Sequence, residues 1–344
     1  MSKLTKYRGK VALTKDDEFV YEDQMPSSFN AFSETAKALI ANNRTSKTIE
    51  TYESNILSFY DFCDENNVRP IPADPRTVLA FISFQSEHCL SKDGKQFAVN
   101  TIATRLAAIK FFHNQNGYIS PTDHKMNVDA FDGLKRLKGR DIKDTRQDPI
   151  MYHELEMIIN AIGPDVNLKA IRDKAIVTLG LQGGFRRSEL CSLMIKDLSF
   201  RRDALRVNLL HSKANQKNKL EWKELPIDEP FSAYDYVKKW LSEADLTEGN
   251  LFRALSRDKK SIRIYKDDPE IKQPTGLMSG NDIYRLIKHY ALKAGLPASK
   301  IGAHSLRSGC VTQLAENDKN DIYIMGRTGH QDPRTLQNYI KRSS

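Results

Sequence analysis

The chain has 344 residues, 40% hydrophobic and 28% charged, enough for two domains that each bury a core. No apolar run approaches the roughly 20 residues that cross a bilayer, and the basic N-terminus lacks the apolar segment of a secretory signal, which argues against helical membrane insertion and export. A formal charge of +9, from 53 basic and 44 acidic side chains, favours polyanionic partners through phosphate neutralisation and counterion release. Cys63, Cys89, Cys191 and Cys310 lie far apart with no CxxC pair, so they read as packed thiols in a reducing compartment and not as a disulfide or metal framework.

In chain order, residues 1–26 are polar and aperiodic and read as a flexible arm. From Ser27 the spacing turns helical through Phe32, Ala36, Leu39 and Ile40. A second helix follows Ser46, with Ile49, Tyr52, Ile56, Phe59, Tyr60 and Cys63 on its apolar face. Asp74-Pro75 opens a third through Val78, Phe81 and Ile82, since an acidic cap followed by proline is a helix start. Asn100 is read as the cap of a fourth, through Ile102, Leu106, Ile109 and Phe112 to His113, and a short helix is expected around Ala130–Leu137. The charged stretch Lys135–Arg146 reads as a basic linker, with residues 144–149 as the boundary.

Beyond it the pattern is helix over Tyr152–Ile162 and Leu168–Leu181, then short alternating runs. Leu205, Val207 and Leu209 form one strand; Leu220, Trp222 and Leu225 form a less regular second. Between them, Ser212–Lys219 suits a hairpin tip. Helices return over Phe231–Glu243, Gly280–Ala294, His304–Glu316 and Asp332–Ile340. The expected fold class is mainly α: an N-terminal helical bundle over 27–143 and a mostly helical domain over 150–344 with a small antiparallel β-sheet.

The end of the chain concentrates chemistry. His304 and Arg307, three apart on a helix, share one face and can reach one anionic group. Asp332-Pro333 starts a helix that carries Tyr339 within two turns. Cleavage of a phosphodiester by an enzyme nucleophile needs an attacking hydroxyl, cations on the non-bridging oxygens and an acid for the leaving oxygen. Guanidinium suits the oxygens because it donates in a planar fork and stays charged. Arg186, after the Gly183-Gly184 break, and Arg307 are the two arginines so placed.

Gly184-Phe185-Arg186-Arg187-Ser188-Glu189-Leu190 resembles the first box of the tyrosine recombinases, the integrase group that includes the Cre, Xer and lambda enzymes. His304-Ser305-Leu306-Arg307 resembles the second box, and Gly329-His330 with Tyr339 nine residues later resembles the third. Phe62–Asn67, Pro72–Pro75 and Thr101–His113 resemble the core-binding domain of Cre-type enzymes, so the likeness runs over about residues 30–342.

That resemblance implies that Arg186 and Arg307 hold the scissile phosphate, His304 takes the tyrosine proton and Lys213 protonates the 5′-oxygen. It implies that His330 bonds the phosphate beside the nucleophile, that Glu189 orients the neighbouring His and Arg, and that Tyr339 forms a 3′-phosphotyrosine. It implies no cofactor, no metal and no ATP. Lys213, Arg186 and Tyr339 have alternatives. Lys217 and Lys219 share the loop of Lys213, and hairpin lysines are commonly just solvated. Arg187 replaces Arg186 if the register slips, although the Arg-x-x-Glu spacing favours Arg186. Tyr284, Tyr290 and Tyr323 lack the Gly-His signal upstream.

Lys47, Asn100 and Arg105 near two N-terminal helix starts, and Asn281 and Arg285 at the start of the Gly280–Ala294 helix, are candidates for DNA contact; the competing reading is plain surface. The partners implied are double-stranded DNA with paired inverted half-sites and a homotetramer assembled on it, with no membrane, in the cytoplasm on the nucleoid. The chain stops at Ser344, where Cre-like members carry a further helix that ties subunits together, so assembly is expected to use other surfaces. The competing functions are type IB topoisomerase-like relaxation of DNA and an architectural DNA-binding protein without catalysis. Gly309 and Cys310, inside the helix of His304 and Arg307, predict close packing there.

Overall fold

The structure, a computed structural model, describes residues 46–88, 94, 96–139, 147–209, 222–263, 276–330, 332–334 and 336. The expected arm, the helix through Phe32 to Ile40, the hairpin-tip lysines Lys213, Lys217 and Lys219, and Tyr339 lie outside the described residues. The chain divides into two compact units, Met1–Lys143 and Asp144–Ser344.

In the first unit, helices α1 (Ser46–Glu65), α2 (Pro75–Glu87), α3 (Val99–Gln115) and α4 (Lys125–Gly139) pack α1 on α3 and α2 on α4. Their apolar stripes meet in one core of Ile56, Phe59, Cys63, Phe81, Ile102 and Ile109, each fully buried. Asp74 caps α2 as its sequence predicts, accepting from Arg76 N at 2.7 Å with Pro75 in the first turn. Asn100 is not a cap. Helix α3 starts at Val99 after Ala98, which makes no side-chain cap bond, and Asn100 lies in the first turn. The last helix runs longer than expected because His124, not a usual cap residue, accepts from Met126 N through Nδ1 at 3.3 Å. Asn127 then ties this helix to its neighbours, donating to Pro75 O at 2.9 Å and Pro121 O at 2.8 Å.

The second unit is organised on α6 (Leu168–Gln182), whose residues from Ala170 to Gln182 are all buried. An all-round buried helix shows little amphipathic periodicity, and its charges must find partners. Arg172, Lys169 and the Tyr290 hydroxyl all donate to the fully buried Asp173. Around α6 stand α5 (Tyr152–Ile162), α7 (Arg187–Ser192), α8 (Ala233–Glu243), α9 (Gly280–Lys293), α10 (Ala303–Glu316) and α11 (Asp321–Thr328). The indole of Trp240, buried in α8, donates to Leu251 O at 2.8 Å.

Three strands, β1 (Leu198–Phe200), β2 (Ala204–Asn208) and β3 (Trp222–Pro226), form an antiparallel sheet in the order β1-β2-β3. Leu205 pairs with Leu225 and Val207 with Lys223. Strand alternation turns Lys223 and Leu225 inward and leaves Trp222 half exposed, so the apolar face expected to include Trp222 is corrected. Strand β1 and helix α11 have weak sequence signals: three residues, and eight residues between an Asn320 cap and the left-handed Gly329.

Candidate active site

The first box is a sharp turn between α6 and α7. Gly184 has φ +56°, and a Cβ there would lie 2.8 Å from Thr328 Cγ2 and 3.1 Å from Cys310 Sγ. A Cβ on Gly183 would strike the Phe185 ring at 2.1 Å. Both glycines are thus required by close approach: the chain reverses over the buried Phe185 to deliver Arg186 at the start of α7.

Glu189, buried in the first turn of α7, holds Arg186 twice. Its carboxylate accepts from Arg186 N at 2.9 Å and from Arg186 Nη1 at 2.6 Å. The guanidinium keeps 30% of its side-chain surface accessible, so it is oriented without being consumed. Arg187 is exposed and runs along Gly280 at the start of α9, away from the Glu189 carboxylate. The register that favours Arg186 is therefore the one with the oriented guanidinium.

Arg307 projects from α10 into the interior and is 1% exposed. Its Nη1 donates to Gly184 O at 2.7 Å and to Thr328 O at 2.5 Å. One side chain thereby joins the first box, the helix of the second and the end of α11 just before Gly329-His330. His304 stands exposed at the first turn of α10, its backbone N–H donating to Gln147 Oε1 at 3.1 Å.

His330 follows the left-handed Gly329. The Thr328 hydroxyl, 2.7 Å from His330 Nδ1, also donates to Ile324 O at 2.7 Å. The single hydroxyl proton is then used, so the imidazole carries its proton on Nδ1 and leaves Nε2 as an acceptor. Burial first, then the positive charges of Arg307, Arg186, Lys223 and the neighbouring His304, push the His330 pKa down to about 3. His330 thus lies in the positive field of Arg186 and Lys223 as well as of His304 and Arg307.

A residue that sequence reasoning missed is among these cations. Lys223 of β3 is 2% exposed, and its ammonium donates to Gly183 O at 2.7 Å. The only hint in sequence is its alternation with Leu225. A second missed group, Arg327, donates to Glu229 at 2.8 Å, to Tyr323 OH at 2.6 Å and to Gln182 O at 3.1 Å, fixing α11 to the end of α6.

Of the candidates for base reading, Lys47, Asn100 and Arg105 belong to the first unit and Asn281 and Arg285 to α9 of the second. Lys47 pairs with Glu50 at 2.8 Å, and the Arg105 guanidinium lies over the Phe97 ring at 4.2 Å. Asn100, Asn281 and Arg285 are exposed. Burial pushes the thiols of Cys63, Cys191 and Cys310 up, to about 12, 11 and 11, so all three remain protonated packing groups.

The family model for the phage integrase family matches residues 150–344, more than half of the chain and the whole of the described cluster. The chain belongs to the phage integrase family. Membership makes this integrase-family chain a tyrosine recombinase, an enzyme of site-specific DNA recombination. Among its relatives, an integrase/recombinase XerD homolog of Selenomonas ruminantium is 27% identical over 335 residues, covering 96% of this chain and 92% of that one. The tyrosine recombinase XerC of Thermodesulfovibrio yellowstonii is 24% identical over 298 residues, covering 86% and 85%.

Solved structures share the fold. The XerH site-specific recombinase bound to its difH substrate, in a pre-cleavage complex, superposes with a TM-score of 0.55 at 19% identity, over 85% of this chain and 75% of that one. The Tn1549 transposon integrase in complex with transposon right end DNA gives 0.57 at 19% identity, over 90% and 96%. The mainly helical architecture with one small antiparallel sheet is therefore that of the family, as the sequence predicts.

Proposed function

We propose that Tyr339 is the nucleophile of this tyrosine recombinase and that Arg186 and Arg307 hold the phosphate it attacks. The tyrosyl oxygen bonds to phosphorus and the bond from phosphorus to the 5′-oxygen breaks. His304 accepts the tyrosyl proton, and Lys213 gives one to the departing 5′-oxygen. Glu189 keeps the Arg186 fork aimed, and His330 packs beside the nucleophile. The product is a 3′-phosphotyrosine with a free 5′-hydroxyl. Attack by the 5′-hydroxyl of a partner strand reverses the step, and because the ester retains the energy of the broken bond, rejoining calls for neither ATP nor metal.

The observation that supports this reading is the pair of hydrogen bonds from Arg307 to Gly184 O and Thr328 O, which ties the helix of the second box to the first box and to the residue just before Gly329-His330. Cations held in fixed directions before substrate arrives are what stabilisation of a pentavalent phosphorus requires. The substrate is duplex DNA with paired inverted half-sites, cut two strands at a time by a homotetramer through a Holliday junction. Lys47, Asn100, Arg105, Asn281 and Arg285 are its contacts outside the chemistry, and the protein works on the DNA of the cytoplasm.

A nicked suicide duplex carrying the target site tests the assignment, because loss of the short 5′ fragment traps the covalent intermediate. Wild-type protein is expected to form an adduct stable in detergent, and Tyr339→Phe none. No wild-type adduct, or an undiminished one with Tyr339→Phe, overturns the assignment. Relaxation of supercoiled DNA lacking any site would favour the topoisomerase reading instead; binding without adduct would favour an architectural role.

A further inference from the structure

The ammonium of Lys223 is held on three sides. Its Nζ donates to Gly183 O at 2.7 Å, lies 3.4 Å from Thr328 O and sits over the Phe185 ring at 4.2 Å. Two carbonyls and an aromatic face match the three N–H bonds of an ammonium, and a neutral amine would turn its lone pair toward one of them. Arg307 grips the next carbonyl, Gly184 O, and shares Thr328 O with Lys223. The two cations therefore close one clamp on the turn that leads to Arg186 and on the segment that leads to His330.

We propose that Lys223 is a positioning residue of this site, acting through the Gly183 and Thr328 carbonyls on Arg186, Arg307 and His330, and that it must carry its proton for DNA to be cut. The inference rests on the reaction proposed above, which wild-type adduct formation tests by itself; the Lys223 variants test only this step.

The surroundings make that proton labile. Burial, opposed by Glu189 and reinforced by Arg307 and Arg186, lowers the Lys223 pKa to about 7. The groups facing it are Glu189 and Arg186 at α7, Arg307 and the thiol of Cys310 on α10, and His330 after α11. Against those cations Glu189 is the one carboxylate among them, so a phosphodiester arriving between Arg186 and Arg307 adds negative charge and draws the proton back onto Lys223. Above about pH 7 the free protein loses it, and the clamp loosens.

The test is single-turnover cleavage of the suicide duplex from pH 6 to 9, at DNA concentrations well below and well above saturation. Wild-type protein is expected to show a second-order rate that falls as pH rises through about 7. Lys223→Met is expected to cut about tenfold or more slowly at saturation, with circular dichroism unchanged, so that the loss extends beyond any weakening of DNA binding. Lys223→Arg, permanently charged, is expected to cut well and to lack the falling limb. Wild-type-like cutting by a folded Lys223→Met, a loss confined to DNA affinity, or an unchanged limb in Lys223→Arg overturns the proposal. Should Lys223→Met not fold, the Lys223→Arg profile decides. A wild-type rate that does not fall with pH overturns it without any variant.

Discussion

The carbonyl oxygen of Ile150 lies 1.8 Å from where a Cβ on Gly309 would stand. The backbone entering the second unit is laid directly on α10 at this point. Ile150 N donates to Ser305 O at 2.9 Å, Asp148 N to Lys300 O at 2.8 Å, and Gln147 accepts from His304 N. The helix bearing His304 and Arg307 is thus fixed at its first turn by residues 147–150, and only glycine permits that approach. The close packing expected at Gly309 is the contact with Ile150.

Gly309→Ala is expected to destabilise the protein by about 2 kcal/mol, since the added methyl meets backbone and cannot be accommodated by a rotamer change. Denaturant titration measures it. Cleavage of the suicide duplex at a temperature where the variant is folded should fall as well, because α10 must shift to relieve the clash. Stability equal to wild type would contradict the packing.

Arg307→Lys retains the charge and loses the fork. A single ammonium nitrogen standing where Nη1 holds Gly184 O and Thr328 O has no second, coplanar amino group to offer a phosphate, so cleavage is expected to fall about a hundredfold at saturating DNA. Arg186→Lys should behave alike, because it keeps the backbone bond to Glu189 but loses the planar fork that the Nη1 bond orients. Single-turnover rates check both; near-wild-type rates would remove the arginines from the chemistry.

The Arg327 side chain is 2% exposed and Glu229 20%, and their 2.8 Å pair anchors α11. Glu229→Gln leaves a buried cation poorly compensated and is expected to cost about 3 kcal/mol in denaturant titration. Arg327→Met combined with Glu229→Gln should recover much of that loss. If the double variant is no more stable than Glu229→Gln alone, the unpaired charge is not what the single substitution exposes.

In the first unit, His113 is fully buried, accepting from Ala73 N at 3.0 Å through Nε2 and donating from Nδ1 to Ile109 O at 2.7 Å. The bond from Ala73 N needs the neutral ring, because a protonated Nε2 cannot accept, and burial lowers the pKa below the ordinary 6.5. The unfolded chain binds the proton first, so this stabilisation is complete above pH 6.5 and is lost as pH falls through the folded pKa, by up to about 1.4 kcal/mol per pH unit. His113→Leu, which strands Ala73 N, should be less stable at pH 7.5 by about 1–3 kcal/mol. The gap from wild type should narrow at acid pH; a constant gap in urea titrations would contradict the neutral ring.

Much of the helical framework was legible because helix starts and apolar stripes are local. Asp74-Pro75, the stripe of α1 and the ends of α5 follow from neighbouring residues alone. The misses share a physical cause. Asn100 has the chemistry of a cap, yet Ala98 takes the place because the cap is set by where the chain enters the helix. Helix α6 hides its charges in partners far along the chain, such as Tyr290 for Asp173, which no window reveals.

The sequence by itself determined the order and spacing of the boxes and the mainly helical class, and it supplied the residues proposed to hold a phosphate, since residue type and short-range periodicity carry those. Only the tertiary structure decided that Arg186, rather than Arg187, has its guanidinium held by Glu189, that Gly309 makes room for Ile150, and that Lys223 is buried among the arginines. Each of those depends on two backbones meeting from distant parts of the chain, where burial turns an ordinary carbonyl or lysine into a strong electrostatic partner.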